Sequence, residues 1–306
     1  MRIVVTGGFG FIGSNFVNYI LENTNHEVLI VDKLTYAANT DSVNGEFGFL
    51  MKDICDVTSE DLGEYDYMVH FAAETHVDNS ITDGRPFIRT NVEGTYNLIE
   101  CARKNKNLKK FIHISTDEVY GDMVNEDTLA NEYFELEPSS YYSSTKAASD
   151  MLVLSANRTY GLKYLITRTC NNYGENQHHE KFLSKIYKSI KEGTEVPVYG
   201  DGKQVREWIY VKDNVKVIYD LMMDENVINT VYNIGSNIRY KNIEVINLIS
   251  MILDKEVKYK FVEDRLGHDK VYGLDCTKLD EYFEKNNIRP KFNHLTDYLH
   301  NLYGKK

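Results

Sequence analysis

The chain is short of several things that would narrow its function early. Its four cysteines, Cys55, Cys101, Cys170 and Cys276, are scattered with no Cys-x-x-Cys pair, so there is no disulfide framework to read. A reducing cytoplasm is the expected compartment, since no basic, apolar leader precedes the first strand. No apolar run approaches the roughly 20 residues needed to span a bilayer. Positive charge is also scarce: 35 Lys and Arg face 46 Asp and Glu, for a formal charge of −11. That balance argues against nucleic-acid partners and against docking on anionic membrane, while leaving room for a small anion in a local basic pocket. Repeats, heptads and low-complexity linkers are missing too.

What is present is an ordinary core-forming composition, 42% hydrophobic, laid out with a strong rhythm. "RIVVTG", "VLIVDK", "YMVHFAA", "KKFIHIST" and "LKYLITR" read as strands separated by amphipathic helices. Such alternation implies right-handed crossovers and a parallel sheet covered on both faces. Beyond Cys170 the rhythm loosens, with helices expected near 181–192, 211–224, 242–254 and 277–286. "REWIYVKDNVKVIYDLMM" reads as one more strand-helix unit, which would let returning chain complete the sheet.

"VVTGGFGFIGSNF" sets Gly7, Gly10 and Gly13 directly after the first strand, at the start of a helix. Glycine there permits a tight turn, close approach of backbone to a pyrophosphate and close helix-strand packing, and the helix N-terminus offers free N–H donors. Asp32 ends the second strand, where a carboxylate can accept from both ribose hydroxyls and repel a 2′-phosphate. NAD is therefore expected over NADP, with the adjacent Lys33 softening the preference. Asp53 and Ile54 in "KDICD" are candidates for the adenine side. The fold class that follows is α/β, a Rossmann-type doubly wound parallel sheet with a smaller C-terminal α/β substrate domain. Residues 1–170 and 208–231 are assigned to the NAD-binding domain, and 171–207 and 232–306 to the second.

At the other end of the sheet, "HISTDEVYG" runs a strand into Ser115, Thr116, Asp117 and Glu118, two adjacent carboxylates at the mouth of a core. Such a pair is costly unless something uses it. Downstream, Tyr142 and Lys146 in "YYSSTKAASDMLV" lie four apart, on one helical face. A lysine and a positive nicotinamide ring beside a tyrosine favour its phenolate, making it a base for a hydroxyl proton. The Tyr-x-x-x-Lys spacing also occurs at Tyr187 and Tyr199. Only Tyr142 lies between strands and so points to the carboxyl edge of the sheet, where such folds bind ligands.

Together with "FAAETHVDNSI", "TNVEGTYNLIE", "NNYGENQHHEKF", "YGDGKQVREWIYVKDN", "YNIGS" and "DRLGHDKVY", these motifs resemble the extended short-chain dehydrogenase/reductase family over nearly the whole chain. Within that family the sequence is similar to the nucleoside-diphosphate-sugar 4,6-dehydratases, above all those acting on dTDP-glucose. The resemblance implies C4 oxidation of the sugar, loss of water across C5 and C6, and return of the hydride to C6. It implies Tyr142 as the base for oxidation, with Lys146 supporting it, Glu118 as the base at C5, Asp117 as the acid at C6 and Thr116 holding the 4-hydroxyl. Phe11, Ile12, Ala72 and Ala73 fall on the cofactor side. His76, Asn172, Glu180, Lys181, Arg206, Asn237, Arg265 and His268 fall on the sugar-nucleotide side. A homodimer through helices near 91–104 and 142–160 is a further implication.

The sequence departs from that pattern in places. Asn79 stands where dTDP-glucose members carry arginine, and "HVDNS" is closer to UDP-glucose dehydratases, so UDP-glucose remains the alternative substrate. Tyr141 and Leu266 replace prolines, "HHEKF" lacks the proline before its Glu-Lys, and the loops around 45–50, 104–110 and 122–138 are short. Sugar-nucleotide epimerases and decarboxylases share the glycine loop and the Tyr/Lys pair but usually lack Thr-Asp-Glu, which favours dehydration. A non-catalytic NAD-binding sensor is the reading from another class. No metal is expected, because the neighbouring His178 and His179 beside Glu180 have no ligand spacing that favours one.

Overall fold

A computed structural model describes residues 1–288 and 290–303. In chain order the strands are β1 Arg2–Thr6, β2 Glu27–Asp32, β3 Gly48–Met51, β4 Tyr67–His70, β5 Lys110–Thr116, β6 Tyr164–Thr169, β7 Asn171–Tyr173, β8 Val196–Tyr199, β9 Val205–Tyr210, β10 Thr230–Ile234, β11 Arg239–Lys241 and β12 Tyr259–Val262. Seven of them form one parallel sheet in the order β10-β6-β5-β4-β1-β2-β3, the doubly wound arrangement expected. The central strands are apolar on both faces because helices cover both: β4, β5 and β6 are buried along their whole length.

Two details differ from the expectation. "REWIYV" does form a strand, β9, but it pairs with β7 and β11 in a separate three-stranded sheet. The strand that closes the large sheet is β10, parallel to β6. Strand propensity identifies an extended segment; it does not say which sheet receives it. The second difference is β3, which occupies part of the stretch read as a loop. It pairs on one side only and is largely exposed, so neither an apolar run nor alternation marked it.

The chain between β9 and β10 packs its helix Val211–Met223 against the helix Phe11–Asn23, covering one face of the large sheet. Lys110 at the start of β5 fastens the end of that returning helix. Its ammonium, 2% exposed, donates to the carbonyls of Leu221 at 3.1 Å, Met222 at 3.0 Å and Asp224 at 3.0 Å. Those of Leu221 and Met222 are among the carbonyls that a helix C-terminus leaves unpaired, and a cation suits the negative end of its dipole; the Asp224 carbonyl also accepts from the Val227 N–H. Burial lowers the Lys110 pKa to about 8. A third body of core, around Tyr173, Ile186, Trp208, Ile246 and Leu299, fills the C-terminal part. No helix among the described residues is long and apolar enough to cross a membrane, and all four cysteines are free.

Candidate active site

One cleft runs along the carboxyl edge of the large sheet, from the glycine turn after β1 to the end of β5. Its near end is shaped by backbone. Gly7 has a φ of +70°, and a Cβ there would lie 2.6 Å from the Ala72 nitrogen. At Gly13 a Cβ would lie 2.2 Å from the Gly7 carbonyl oxygen, so only glycine lets the helix start this close to the turn. Gly10 is the N-cap of Phe11–Asn23, with no side-chain cap and no acidic residue in the first turn. The free N–H groups and positive dipole end are thus left for an anion. Asp32 closes the floor, its carboxylate held by the N–H groups of Phe9 at 3.1 Å and Leu34 at 2.9 Å. Phe11, Ile12, Lys33, Ile54, Ala72 and Ala73 line the same end. Asp53 does not line the cleft. It sits at the rim, 3.5 Å from the Lys33 ammonium and 3.7 Å from the Arg89 guanidinium. This glycine cradle, uncapped helix and held carboxylate fit the diphosphate and ribose of NAD.

The far end is built from charge. β5 delivers Thr116, Asp117 and Glu118 to the cleft, and the helix Tyr141–Tyr160 delivers Tyr142 and Lys146. That helix begins where Ser140 and Ser143 cap each other reciprocally, Ser143 N–H donating to Ser140 Oγ at 3.1 Å and Ser140 N–H to Ser143 Oγ at 3.0 Å. Lys146 donates to the Ile114 carbonyl at 2.7 Å, one strand residue behind Ser115. The Thr116 hydroxyl donates to Asp117 Oδ1 at 3.1 Å and accepts from the Glu118 N–H at 3.3 Å. Asp117 Oδ2 is buried with no protein partner, as is Ser115 Oγ.

The two carboxylates do not share one environment. Burial, and then the neighbouring Glu118 charge, pushes the Asp117 pKa well above its usual value. Burial also raises Glu118, but Arg265, Lys181 and Arg206 oppose the rise. Burial raises the Tyr142 phenol, and the charge of Glu118 adds to this while Thr116 opposes it. Burial lowers Lys146 to about 8, with Asp150 opposing. The side chains of this cluster therefore favour a neutral phenol, and the phenolate expected from the sequence needs further positive charge beside it.

Other expected residues divide into those the fold brings to the cleft and those it holds nearby. Asn172 and Lys181 line the cleft. Lys181 also reaches across to the Thr75 carbonyl at 3.0 Å, and His76 Nε2 lies 3.5 Å from Glu180. Arg206 is buried, donating to the carbonyls of Val205 at 2.8 Å and Asp269 at 2.7 Å, with its guanidinium 4.1 Å from the centre of the Tyr272 ring. Arg265 lies 3.6 Å from Asp78, and His268 pairs with Asp264 at 2.6 Å. Asn237 meets the protein through its backbone: its N–H donates to buried Glu207 at 2.9 Å.

Sequence reasoning missed Asn91, which sits in a π-helical turn, Ile88–Gly94. Its amide accepts from the Glu74 N–H at 2.8 Å and donates to the Glu74 carbonyl at 3.1 Å and to Thr145 at 3.0 Å. It ties the loop after β4 to the helix that carries Tyr142. The motif "TNVEGTYN" contained it, but nothing local assigns an asparagine that role. Asp150 was missed as well: it is fully buried, 2.9 Å from Arg168 and 3.4 Å from His113.

Residues 3–235 match the model of the NAD dependent epimerase/dehydratase family. The chain belongs to this family. Among curated members it is 44% identical to the low-salt glycan biosynthesis protein Agl12 of Haloferax volcanii, over 91% of each chain. It is 41% identical to the dTDP-glucose 4,6-dehydratase of Haemophilus influenzae, again over 91% of each. Among solved family structures, the dTDP-glucose 4,6-dehydratase DesIV of Streptomyces venezuelae, determined with NAD bound, superposes with a TM-score of 0.91 at 36% identity, covering 99% of this chain and 96% of that one.

Proposed function

We propose that the protein is an NAD-dependent nucleoside-diphosphate-glucose 4,6-dehydratase, with dTDP-glucose as substrate. The observation that carries this reading is the pair Asp117 and Glu118 in one cleft with Tyr142 and Lys146, opposite a dinucleotide cradle. An epimerase needs the second pair; elimination of water also needs the first.

Gly7, Gly10, Gly13 and Asp32 would hold the cofactor, with Phe11, Ile12, Lys33, Ile54, Ala72 and Ala73 around it and Asp53 at the rim. Bound NAD⁺ supplies reversible hydride acceptance and a positive ring beside the phenol. Tyr142, with Lys146 behind it, takes the C4 hydroxyl proton, while Thr116 holds that oxygen. The C5 proton is then acidic, being alpha to a ketone. Glu118, the carboxylate nearer to cations, removes it, and Asp117, the carboxyl whose burial favours its protonated form, protonates the departing C6 hydroxyl so that it leaves as water. Glu118 returns the proton to C5 as C6 receives the hydride that was taken from C4. Arg206, Arg265, Lys181, Asn172 and Asn237, with His76, Glu180 and His268, make up the sugar-nucleotide side. Arginine suits the diphosphate through its bidentate fork.

This reading divides the chain into a cofactor part and a sugar-nucleotide part; the expected boundaries at 207/208 and 231/232 fall inside β9 and β10 and move to 210/211 and 234/235. We place the enzyme in the cytoplasm and read it as a homodimer. Tyr96, 55% exposed, and Met151 and Tyr160, 45% and 58% exposed, put apolar surface on the two helical segments expected to pair.

The test is a panel of dTDP-, UDP-, GDP- and CDP-glucose incubated with purified protein and NAD⁺, followed by mass spectrometry. Loss of one water from dTDP-glucose, without net NADH, is the expected result. Turnover of UDP-glucose in its place would move the assignment to the alternative suggested by Asn79. Epimerisation with no mass loss would overturn dehydration altogether.

A further inference from the structure

Beside the far end of the cleft the chain folds His76 against the loop 178–180. His178, His179 and Glu180 present ligand atoms that all lie within 4.8 Å of one another. Sequence spacing did not recommend a metal here, because adjacent histidines on a loop carry no ligand spacing of their own; the fold is what turns their ring nitrogens and Glu180 toward one point. Glu180 Oε2 lies 3.5 Å from His76 Nε2 and 3.5 Å from His178 Nδ1. Those separations are too long for good hydrogen bonds, and Glu180 Oε2 is indeed buried with no hydrogen-bond partner. Those two separations are close to the edges of another geometry. Ligands about 2.0–2.1 Å from a tetrahedral Zn²⁺ stand roughly 3.3–3.4 Å apart along each edge.

We propose that His178, His179 and Glu180 form a three-residue binding site for one divalent transition-metal ion of the zinc class, with His76 against the same Glu180 oxygen. A donor set of imidazoles and one carboxylate suits Zn²⁺ or Co²⁺ over Mg²⁺ or Ca²⁺. The cation beside it in sequence is Lys181, whose ammonium is engaged by the Thr75 carbonyl at 3.0 Å. His178 and Lys181 also line the cleft, so an ion held here stands against the sugar-nucleotide side. Its consequence, which rests on the function proposed above, is inhibition competitive with the sugar nucleotide.

The experiment uses the untagged full chain. Co²⁺ titration should give a visible d–d absorption band saturating at one equivalent, displaced by Zn²⁺ and insensitive to excess Mg²⁺. The His178→Ala/His179→Ala double variant should weaken Co²⁺ binding by about tenfold or more while its circular dichroism and NAD binding stay unchanged. Glu180→Gln, nearly isosteric, should weaken it too. Saturation absent at one equivalent, or equal affinity in the double variant, overturns the site. Because this readout needs no substrate, it stands even if the sugar-nucleotide reading fails. Zn²⁺ raising the apparent KM for the sugar nucleotide in the parent, and not in the double variant, is the expected kinetic result. Inhibition that persists in the double variant would place the inhibitory ion elsewhere.

Discussion

The two ends of the cleft are made in different ways. The cofactor end is contiguous in sequence and depends on backbone: glycines where any Cβ would collide, an uncapped helix and one carboxylate fixed by two N–H groups. The far end, proposed for the sugar nucleotide, is lined by side chains on segments far apart, 116–118, 142–146 and 172–181, with 75–79, 206 and 265–268 held beside it. They are held by contacts such as Lys181 to Thr75, Tyr199 to Asp78 and Arg265 to Asp78. A backbone site tolerates few substitutions and is hard to retune. A side-chain site can change its preference one residue at a time, which is where the Asn79 and "HHEKF" departures fall.

The sharpest way to separate the ends is to damage each alone. Tyr142→Phe, Asp117→Asn and Glu118→Gln should each cost about 10²–10⁴-fold in dehydration while NAD still binds. The amides should further let reduced cofactor become visible transiently in stopped-flow absorbance, since they block elimination after oxidation. Full dehydration by an Asp117→Asn/Glu118→Gln double variant would erase the distinction between the ends.

Gly13→Ala is the reverse experiment. Its Cβ must displace backbone at Gly7, so NAD affinity should fall by about tenfold or more, with roughly 1–3 kcal/mol of stability lost through overpacking. Gly161 is the control: its φ is +72° but nothing lies within 4 Å of an added Cβ. Gly161→Ala should cost about 1 kcal/mol of backbone strain and leave NAD binding alone, as titration calorimetry would show.

Beneath both ends lie His70 and His113, buried in neighbouring strands. Burial lowers His113 from 6.5 to about 4 and His70 well below its usual value. The unfolded imidazoles take protons that the folded ones refuse, so stability is full above about pH 6.5 and falls as pH drops toward 4. His113 alone contributes about 3 kcal/mol to that loss. Urea unfolding at pH 7 and pH 5 should show it, and His113→Asn should flatten the slope.

The smallest effect concerns the two other Tyr-x-x-x-Lys matches, which are not equivalent. Tyr187 packs against Tyr303, with ring centres 5.7 Å apart, whereas the Tyr199 hydroxyl donates to Asp78 at 3.0 Å beside Arg265. Tyr187→Phe should leave kinetics unchanged. Tyr199→Phe should alter KM for the sugar nucleotide a few-fold with kcat preserved, about the worth of one hydrogen bond to a charged group.

The same contrast explains what the sequence made legible. Gly7, Gly13 and Asp32 could be read directly because a local turn dictates them. The strand-end run at Thr116 to Glu118 announced itself by the cost of adjacent carboxylates. Arg206 and Arg265 could be placed only by resemblance, since nothing in their own neighbourhoods fixes which surface they face. Asn91, Asp150 and the grouping of His76 with Glu180 are products of tertiary packing, invisible until β4, β5 and the helix Tyr141–Tyr160 are set side by side. β3 and the destination of β9 escaped for a related reason, as pairing partners are not encoded in a strand's own composition.

The late arrival of β10 bears on how the protein is made. A ribosome has released β1 through β6 long before residues 230–234 emerge, and until then β6 is an unpaired sheet edge. The helix Phe11–Asn23 meanwhile lacks the cover of Val211–Met223, and the Lys110 ammonium lacks the three carbonyls that receive it. The nascent chain therefore carries a sticky edge, and a Lys110 ammonium that must later shed its water, through much of its synthesis. Chains that stall or are cut before residue 230 should aggregate, and the large sheet should be complete only when β10 docks.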